Sequence, residues 1–355
     1  MRRSQGWLVV AVLIALVAAG CGSKPKSRAA GTPGKPSFLA CQVTDTGGID
    51  DRSFNATAWK GMQDAKSKLG VQVKFAESKS QNDYAPNINA FVSQKCGLIV
   101  TVGFLMGDAT KAAAAQHPNA KFAIVNYAYS PPLPNVLALT FSTDQAAFLA
   151  GYLAAAVSKT HKVGTFGGIK LPTVTIFMDG FWSGVQYYNK QKHASVQLLG
   201  WNPKAQNGLF TGDFTNQDNG KRTAETLMGQ GADIVFPVAG NVGLGAAAAV
   251  KAAGAGKWVI WVDTDGCVSA PQYCSLFITS VVKKIDVAVT DAVKSASSGS
   301  LTGGTYVGTL KNDGVGIAPF HDFDSQVPAD LKSDLDKIKQ GIISGSIAVD
   351  PKNYE

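Results

Sequence analysis

The chain has 355 residues, of which 45% are hydrophobic and 16% charged, and a formal net charge of +8. Six of the excess positive charges lie in residues 1–36, so about +2 remains for the rest of the chain, and the charge does not indicate a nucleic-acid groove. The roughly 320 residues after residue 36 are enough for two lobes with their own cores.

The first 36 residues are predicted to direct export and anchoring. Residues 1–20 contain two arginines and a short apolar run, which is typical of a signal peptide and too short for a transmembrane helix. Residues 18–21, Ala-Ala-Gly-Cys, resemble a bacterial lipobox, although that pattern prefers leucine where Ala18 stands, and Cys21 would carry the lipid. Residues 21–36 then form a flexible basic tether at the extracytoplasmic face of the cell membrane. A plain secreted protein is the alternative.

Four further cysteines are free to pair after export. Cys267 and Cys274 bracket a six-residue loop and predict a local disulfide, worth roughly 2–3 kcal/mol. Cys41 lies in the first predicted strand and Cys96 just before a neighbouring one, so a second bridge is left open. A metal site is the competing interpretation, but the four histidines are scattered without ligand spacing, and we expect no metal.

Apolar runs alternate with alanine-rich helical stretches through most of the chain. Such near-continuous apolar runs are typical of parallel strands covered on both faces, so the sequence predicts an α/β protein. Five runs form a first set, at residues 38–44, 71–75, 98–103, 122–126 and 136–141. Five form a second set, at residues 163–167, 196–200, 234–238, 258–262 and 276–280.

The two sets resemble each other. Residues 97–126 line up with residues 232–263, so that Gly103 matches Gly240 and Asn126 matches Asp263 at a strand end. Two similar lobes with facing strand ends create a cleft lined by polar groups. The alternative explanation is that any two strand-helix-strand units look alike.

The chain is expected to cross between these lobes more than once, which favours hinge closure. We predict crossings near residues 142 and 279. The N-terminal lobe then contains residues 37–142 plus 279–308, and the C-terminal lobe contains residues 143–278 plus 309–355. Helices are predicted at residues 145–157, 283–295 and 328–344, and residues 306–320 are predicted to be strand-like.

Residues 43–55, Val-Thr-Asp-Thr-Gly-Gly-Ile-Asp-Asp-Arg-Ser-Phe-Asn, form the turn after the first strand. Ligands of parallel sheets bind at such strand ends. Phe54 offers a stacking face, and the Asn55 amide can both donate and accept hydrogen bonds. Asp51 or Ser53 could cap the next helix. The alternative is an ordinary capped turn with Phe54 in the core.

These motifs together resemble the basic membrane protein family of lipid-anchored substrate-binding proteins, which includes purine nucleoside receptors of bacterial ABC importers. The resemblance spans roughly residues 38–345. It rests on the order and spacing of the turn at residues 43–55 and of the segments at 103–109, 150–153, 232–240, 262–265 and 279–283. It implies a type I periplasmic-binding-protein fold with two similar parallel-sheet lobes and a nucleoside between them. The ligand-binding residues it implies are Asp45, Ser53, Phe54, Asn55, Asn126, Phe214, Gly240, Asp263, Asp265 and Lys283.

In the implied site, Phe54 and Phe214 stack on the two faces of the purine, at about 1–3 kcal/mol per face. Asp263 accepts hydrogen bonds from the ribose hydroxyls, with Asp265 as the alternative. Asn126 stands where relatives commonly have aspartate, so its contact carries no charge. Asp108 and Phe177 are further candidates for the wall of the site.

The resemblance implies the extracytoplasmic receptor of an ABC importer, which uses no cofactor and delivers a purine nucleoside to permease and ATPase subunits. An enzyme is the main rival class. The chain has no Walker loop, and residues 180–184, Gly-Phe-Trp-Ser-Gly, do not have the spacing of a nucleophile elbow. The remaining alternatives are a binding protein for a sugar or signalling molecule, a nucleoside hydrolase, and a structural surface lipoprotein.

Overall fold

Two six-stranded sheets form the frame of the protein in a computed structural model that describes residues 38–354. From edge to edge, the first sheet contains β2 (Gln72–Ala76), β1 (Leu39–Thr44), β3 (Leu98–Val102), β4 (Phe122–Val125), β5 (Val136–Phe141) and β13 (Gly304–Gly308). The second contains β7 (Gln197–Leu199), β6 (Lys162–Gly167), β10 (Ile234–Val238), β11 (Trp258–Asp263), β12 (Phe277–Lys283) and β14 (Val315–Ile317). Strands β8 (Trp201–Asn202) and β9 (Asn207–Gly208) form a separate small hairpin.

Helices cover the sheets. They are α1 (Phe54–Leu69), α2 (Tyr84–Ser93), α3 (Gly107–Gln116), α4 (Thr143–Val157), α5 (Pro172–Lys192), α6 (Gln217–Gly229), α7 (Val242–Ala253), α8 (Gly266–Ser269), α9 (Ile285–Ser297) and α10 (Ala329–Ser344). All strand pairs of the first sheet are parallel, and in the second only β14 runs antiparallel, against β12. Every residue of β3, β4 and β10 is buried, as expected for strands covered on both faces. The predicted α/β class is therefore confirmed.

The ten predicted strands are all present, with ends shifted by three residues or fewer. The largest shift is in β12, which continues in the second sheet to Lys283, so the chain leaves that sheet a few residues after the predicted crossing near residue 279. Thr279 and Ser280 are polar, as residues at an exposed strand end often are. Both are buried and bonded instead: Thr279 Oγ1 donates to Ala318 O at 2.7 Å, and Ser280 Oγ accepts from Gly266 N at 2.9 Å.

The chain passes between the two sheets three times, after β5, after β12, and between β13 and β14. Residues 306–320, predicted as one strand-like stretch, therefore contribute one strand to each sheet. The crossing segments are tied to one another: Ser142 N donates to Gly308 O at 2.8 Å, and Lys284 N donates to Gly314 O at 2.9 Å. Connections linked in this way suit a hinge better than independent motion of the two halves.

Both cysteine pairs form disulfides. The predicted Cys267–Cys274 bridge is confirmed, and the bridge between Cys41 and Cys96, which the sequence left open, is also present. The signal peptide, the tether and Cys21 lie outside the described residues. Within residues 38–354, no helix has both the length and the apolar character needed to cross a membrane.

Close contact between α4 and α5 depends on glycine. A Cβ atom on Gly151 would lie 2.1 Å from Phe181 O, and one on Gly184 would lie 2.0 Å from Phe148 O. Each helix thus contributes a glycine that admits the backbone of the other. These helices pack on the second sheet, so their contact fixes one side of that lobe.

Replacing Gly184 with alanine is expected to destabilise the protein by about 2–4 kcal/mol, because the new methyl group meets backbone that cannot rotate away. The matched control is Gly229→Ala in α6, where a Cβ atom meets nothing within 4 Å. That change is expected to be neutral or to stabilise by up to about 1 kcal/mol. Urea denaturation of both variants measures the difference, and equal midpoints would contradict the close-contact interpretation.

Candidate functional site

A cleft of about 580 Å³ lies between the carboxyl ends of the strands of the two sheets. The first half of the chain contributes Asp45, Gly47, Asp51, Phe54, Asn55, Gly103, Phe104 and Asn126. The chain from residue 171 onwards contributes Leu171, Thr173, Val174, Phe177, Phe214, Val238, Ala239, Gly240, Asn241, Val262, Asp263 and Lys283. The cleft therefore contains eight of the ten predicted ligand-binding residues.

The turn before α1 is held by Asp51. Its carboxylate accepts from the backbone N–H groups of Ser53 at 3.0 Å, Asn55 at 2.8 Å and Ala56 at 3.0 Å. Asp51 is therefore the helix cap, one of the two candidates that the sequence offered. Because this cap occupies the helix start, the hydroxyl of Ser53 is available for another partner.

Asp45 and Asn55 form the floor of the cleft on the side of the first sheet. Asp45 Oδ1 accepts from Gly47 N at 3.1 Å and from Asn55 Nδ2 at 2.8 Å. Burial raises the pKa of Asp45. The oxygen Oδ1 of Asn55 is buried without a protein partner, so it is a free acceptor beside the cleft. A side chain on Gly103 would place its Cβ 2.3 Å from Asp45 Oδ2, which explains the glycine in this turn.

The two halves meet at a buried contact between Ser53, Asp263 and Lys283. Ser53 Oγ lies 2.8 Å from Asp263 Oδ2 and donates to it, and Lys283 Nζ lies 2.9 Å from Asp263 Oδ1. Lys283 is 3% exposed and Asp263 is 7% exposed. A buried charge pair of this kind depends on both partners, because removing either leaves the other charge unpaired. Ser53 thus contacts Asp263 and does not line the cleft.

Lys283 also orders two aromatic rings. Its Nζ lies 4.8 Å from the ring centre of Phe54 and 4.9 Å from that of Phe177. Both distances are within the range of cation–π attraction. The same ammonium group therefore binds a carboxylate and positions two rings of the cleft wall.

Phe214 reaches the cleft from the segment before α6. Its ring packs directly on Gly168, where a Cβ atom would lie 2.3 Å from Phe214 Cε1. The loop is fixed by Asp213, whose Oδ1 accepts from Thr215 N at 2.7 Å. Phe54, at the start of α1, and Phe214, before α6, thus line the same cleft. The sequence had left open that each is an ordinary core residue.

The predicted equivalence of Asn126 and Asp263 is visible in the backbone. Asn126 follows β4 with φ = 67°, and Asp263 ends β11 with φ = 68°. Among residues with side chains, asparagine and aspartate adopt this left-handed conformation most readily. Both residues line the cleft, so the duplicated frame places one polar side chain at each of two matching strand ends.

Asp265 does not lie in the cleft, contrary to the prediction. Its Oδ1 accepts from Cys267 N at 3.0 Å and caps α8, and its Oδ2 lies 2.7 Å from His321 Nε2. The ligand atoms of Asp265, Cys267 and His321 lie within 4.8 Å of one another. Cys267 is in a disulfide, however, and supplies no thiolate, so we do not assign a metal site there.

Several cleft residues were not predicted. Phe104 follows Gly103 in the turn equivalent to Gly240, where Asn241 is its counterpart. Leu171 and Thr173 lie at the start of α5, which follows β6 as α1 follows β1. Extending the internal repeat by one strand-helix unit would have found this segment. Phe177, a weaker candidate from the sequence, does line the cleft, whereas Asp108 does not.

The sequence is similar to proteins of known class. Residues 38–352 match the Bmp family, described as "ABC transporter substrate-binding protein PnrA-like". The "ABC transporter nucleoside-binding protein BmpA" of Lactococcus lactis is 32% identical over 365 residues, which cover 97% of this chain and 98% of that protein. "Basic membrane protein A" of Borreliella burgdorferi is 32% identical over 314 residues, covering 87% and 86%. A solved ABC transporter solute-binding protein of Aeropyrum pernix has a TM-score of 0.80 and 28% identity over 88% of this chain and 92% of that one.

Two sheets, three crossings and an intervening cleft define a two-lobed substrate-binding protein with the type I periplasmic-binding-protein fold. The chain belongs to the Bmp family of PnrA-like ABC transporter substrate-binding proteins, which confirms the resemblance found in the sequence. This is a family of substrate-binding proteins and not of enzymes. ABC transporter substrate-binding proteins are extracytoplasmic and work with permease and ATPase partners.

Burial raises the pKa of Asp51 from 3.8 to about 7, against the opposing effect of its three backbone hydrogen bonds. The charge of Asp263 raises this pKa further. Because the folded-state pKa lies above the unfolded one, the carboxyl group favours folding most when it is protonated. That contribution is lost as the pH rises from about 4 through about 7.

The Asp51→Asn variant is therefore expected to gain stability relative to the parent as the pH rises from 4.5 to 8, by about 2–4 kcal/mol. Asparagine keeps an acceptor oxygen for the cap and cannot ionise. Asp50→Asn is the matched control, because it removes the neighbouring carboxylate, which is exposed. Urea denaturation at several pH values measures both, and parallel curves for the two variants would contradict the raised pKa.

Proposed function

We propose that this protein binds a purine nucleoside between its two lobes and delivers it to the permease of an ABC importer. The single observation that carries this proposal is the cleft wall, where Phe54 and Phe214 stand among polar side chains from both halves of the chain. The nucleoside-binding name of the Lactococcus lactis relative supports the choice of ligand.

The aromatic side chains suit a flat, apolar base. A purine can stack on aromatic rings at about 1–3 kcal/mol per face, and this attraction is shared by all bases. Phe54 is held by Lys283, and Phe214 is held by its contact with Gly168, so neither ring needs to be ordered by the ligand. Fixed rings lower the entropic cost of binding.

The polar side chains suit the edge of the base and the ribose hydroxyls. Asp45, Asp263 and the free Oδ1 of Asn55 are acceptors for N–H and O–H groups. Asn126 and Asn241 each offer an amide that can donate or accept. A site that binds hydroxyl groups in this way strongly rejects analogues that lack them. We therefore assign Asp263 to the ribose, as the sequence suggested, and exclude Asp265 from this role.

We further propose that Cys21 carries a lipid that holds the protein at the outer face of the cell membrane. The support is the lipobox-like sequence of residues 18–21 and the basic stretch that follows it. Permease and ATPase subunits are supplied by other chains.

Calorimetric titration with adenosine, guanosine, inosine, uridine and ribose tests the ligand. We expect the three purine nucleosides to bind more tightly than uridine, and ribose to bind least, because the base provides the stacking area. Binding of ribose alone would contradict the purine assignment. Release of free base from inosine would indicate a hydrolase instead.

Phe54→Leu and Phe214→Leu are each expected to weaken nucleoside binding by about 5- to 150-fold, because leucine keeps apolar bulk but has no stacking face. Phe75→Leu is the matched control, since Phe75 is 44% exposed on β2 and does not line the cleft. Its affinity should equal that of the parent. If neither cleft variant loses affinity, the rings do not hold the ligand.

Cys21→Ser is expected to shift the protein from the membrane fraction to the soluble fraction of its native host and to abolish incorporation of labelled fatty acid. The four other cysteines are paired in disulfides, so they do not offer a thiol for the lipid. Continued labelling of the variant would place the lipid elsewhere.

A further inference from the structure

Two kinds of group in the cleft are able to attract an anion: the ammonium of Lys283 and the N-termini of helices. A free ammonium or a free set of N–H groups at a helix start is an effective site for phosphate. Lys283 is the only cation that lines the cleft among residues 38–354. Whether these groups are free determines whether a phosphorylated ligand can bind.

Lys283 is already paired. Its Nζ lies 2.9 Å from Asp263 Oδ1 and also faces the rings of Phe54 and Phe177. Asp263 is in turn fixed by Ser53. An incoming phosphate would have to displace a buried carboxylate that has no other cation beside it.

The start of α1 is also occupied. The Asp51 carboxylate accepts hydrogen bonds from the backbone N–H groups of Ser53, Asn55 and Ala56. These N–H groups are the donors that a bound anion would use. The protein thus supplies its own anion at this helix start.

The two helix starts on the opposite wall offer few free donors. In α5, Pro172 has no N–H group, and Val174 and Thr175 donate to Leu171 O. In α7, Val242 N donates to Ala239 O and Gly243 N donates to Gly240 O. Little backbone donor capacity remains for a phosphate group.

We infer that the cleft accepts the neutral nucleoside and rejects its phosphate monoester, because Asp263 and Asp51 occupy its two anion sites. This inference rests on the proposed function and specifies its substrate class. Three carboxylates line the cleft, Asp45, Asp51 and Asp263, against one ammonium. At separations of a few ångströms, each like-charge contact is strongly unfavourable when partly shielded from water.

The first test compares adenosine with adenosine 5′-monophosphate by calorimetry at pH 8, above the raised pKa of Asp51 of about 7. The monophosphate is expected to bind at least about 100-fold more weakly than adenosine. Asp51→Asn and Asp263→Asn should each reduce this ratio about 10-fold or more, even where adenosine affinity falls. Asparagine has nearly the size of aspartate, so the variants separate charge from steric exclusion.

Asp50→Asn and Asp265→Asn are the matched controls, because each removes one carboxylate that does not line the cleft. Both should keep the parent ratio. A ratio near 1 in the parent would overturn the inference, and so would a ratio that neither cleft variant changes, since size and not charge would then exclude the phosphate.

The second test needs no nucleoside and keeps the two proposals distinguishable. Inorganic phosphate is added at pH 8, and broadening of its ³¹P resonance reports binding. The parent should cause no broadening, and the Asp51→Asn/Asp263→Asn double variant should broaden the signal. Broadening by the parent that Lys283→Met removes would overturn the inference. Absence of any nucleoside binding would refute the proposed function alone, and the phosphate result would still decide whether the anion sites are occupied.

Discussion

The buried contact between Asp263 and Lys283 is the constraint on which the site depends. Both charges are almost fully removed from water, so each is stable only because the other is present. Asp263 ends β11 and Lys283 ends β12, so the pair joins two neighbouring strand ends of the second sheet. The hydroxyl of Ser53 extends this contact to the turn before α1. This polar cluster therefore positions the carboxylate of Asp263 and the rings of Phe54 and Phe177. It also joins the two halves of the chain through Ser53.

The frame that presents this cluster could be predicted from the sequence, because its signals are local and repeated. Strands buried on both faces, such as β3 and β4, produce nearly continuous apolar runs, which distinguish them from amphipathic helices and polar loops. The same frame occurs twice, and the matching left-handed conformations of Asn126 and Asp263 show that the equivalence extends to the backbone of the strand ends. Where β12 continues past its predicted end, the polar residues Thr279 and Ser280 are buried and hydrogen-bonded within the second sheet.

The site was less predictable, because sequence spacing does not determine which way a side chain points after a strand ends. Asp263 and Asp265 are two residues apart, yet one lines the cleft and the other caps α8. The choice between Ser53 and Asp51 as the helix cap also depends on a partner more than 200 positions away, since Asp263 binds the hydroxyl of Ser53. The start of α5 gave no signal of its own, because neither Leu171 nor Thr173 has a charge or an aromatic ring that would suggest a ligand contact.

Phe54 must be held in a fixed orientation and must also present a ring face to the ligand, and the position of Lys283 allows both. An aromatic ring has two faces, and an ammonium 4.8 Å from the ring centre covers only one of them. Lys283 does not cover the opposite face, while the covered face fixes the ring before a ligand arrives. Because Lys283 is neutralised by Asp263, this ordering is achieved without leaving an unpaired positive charge in the cleft. A ring fixed by a paired ammonium suits a flat, uncharged ligand better than an anionic one.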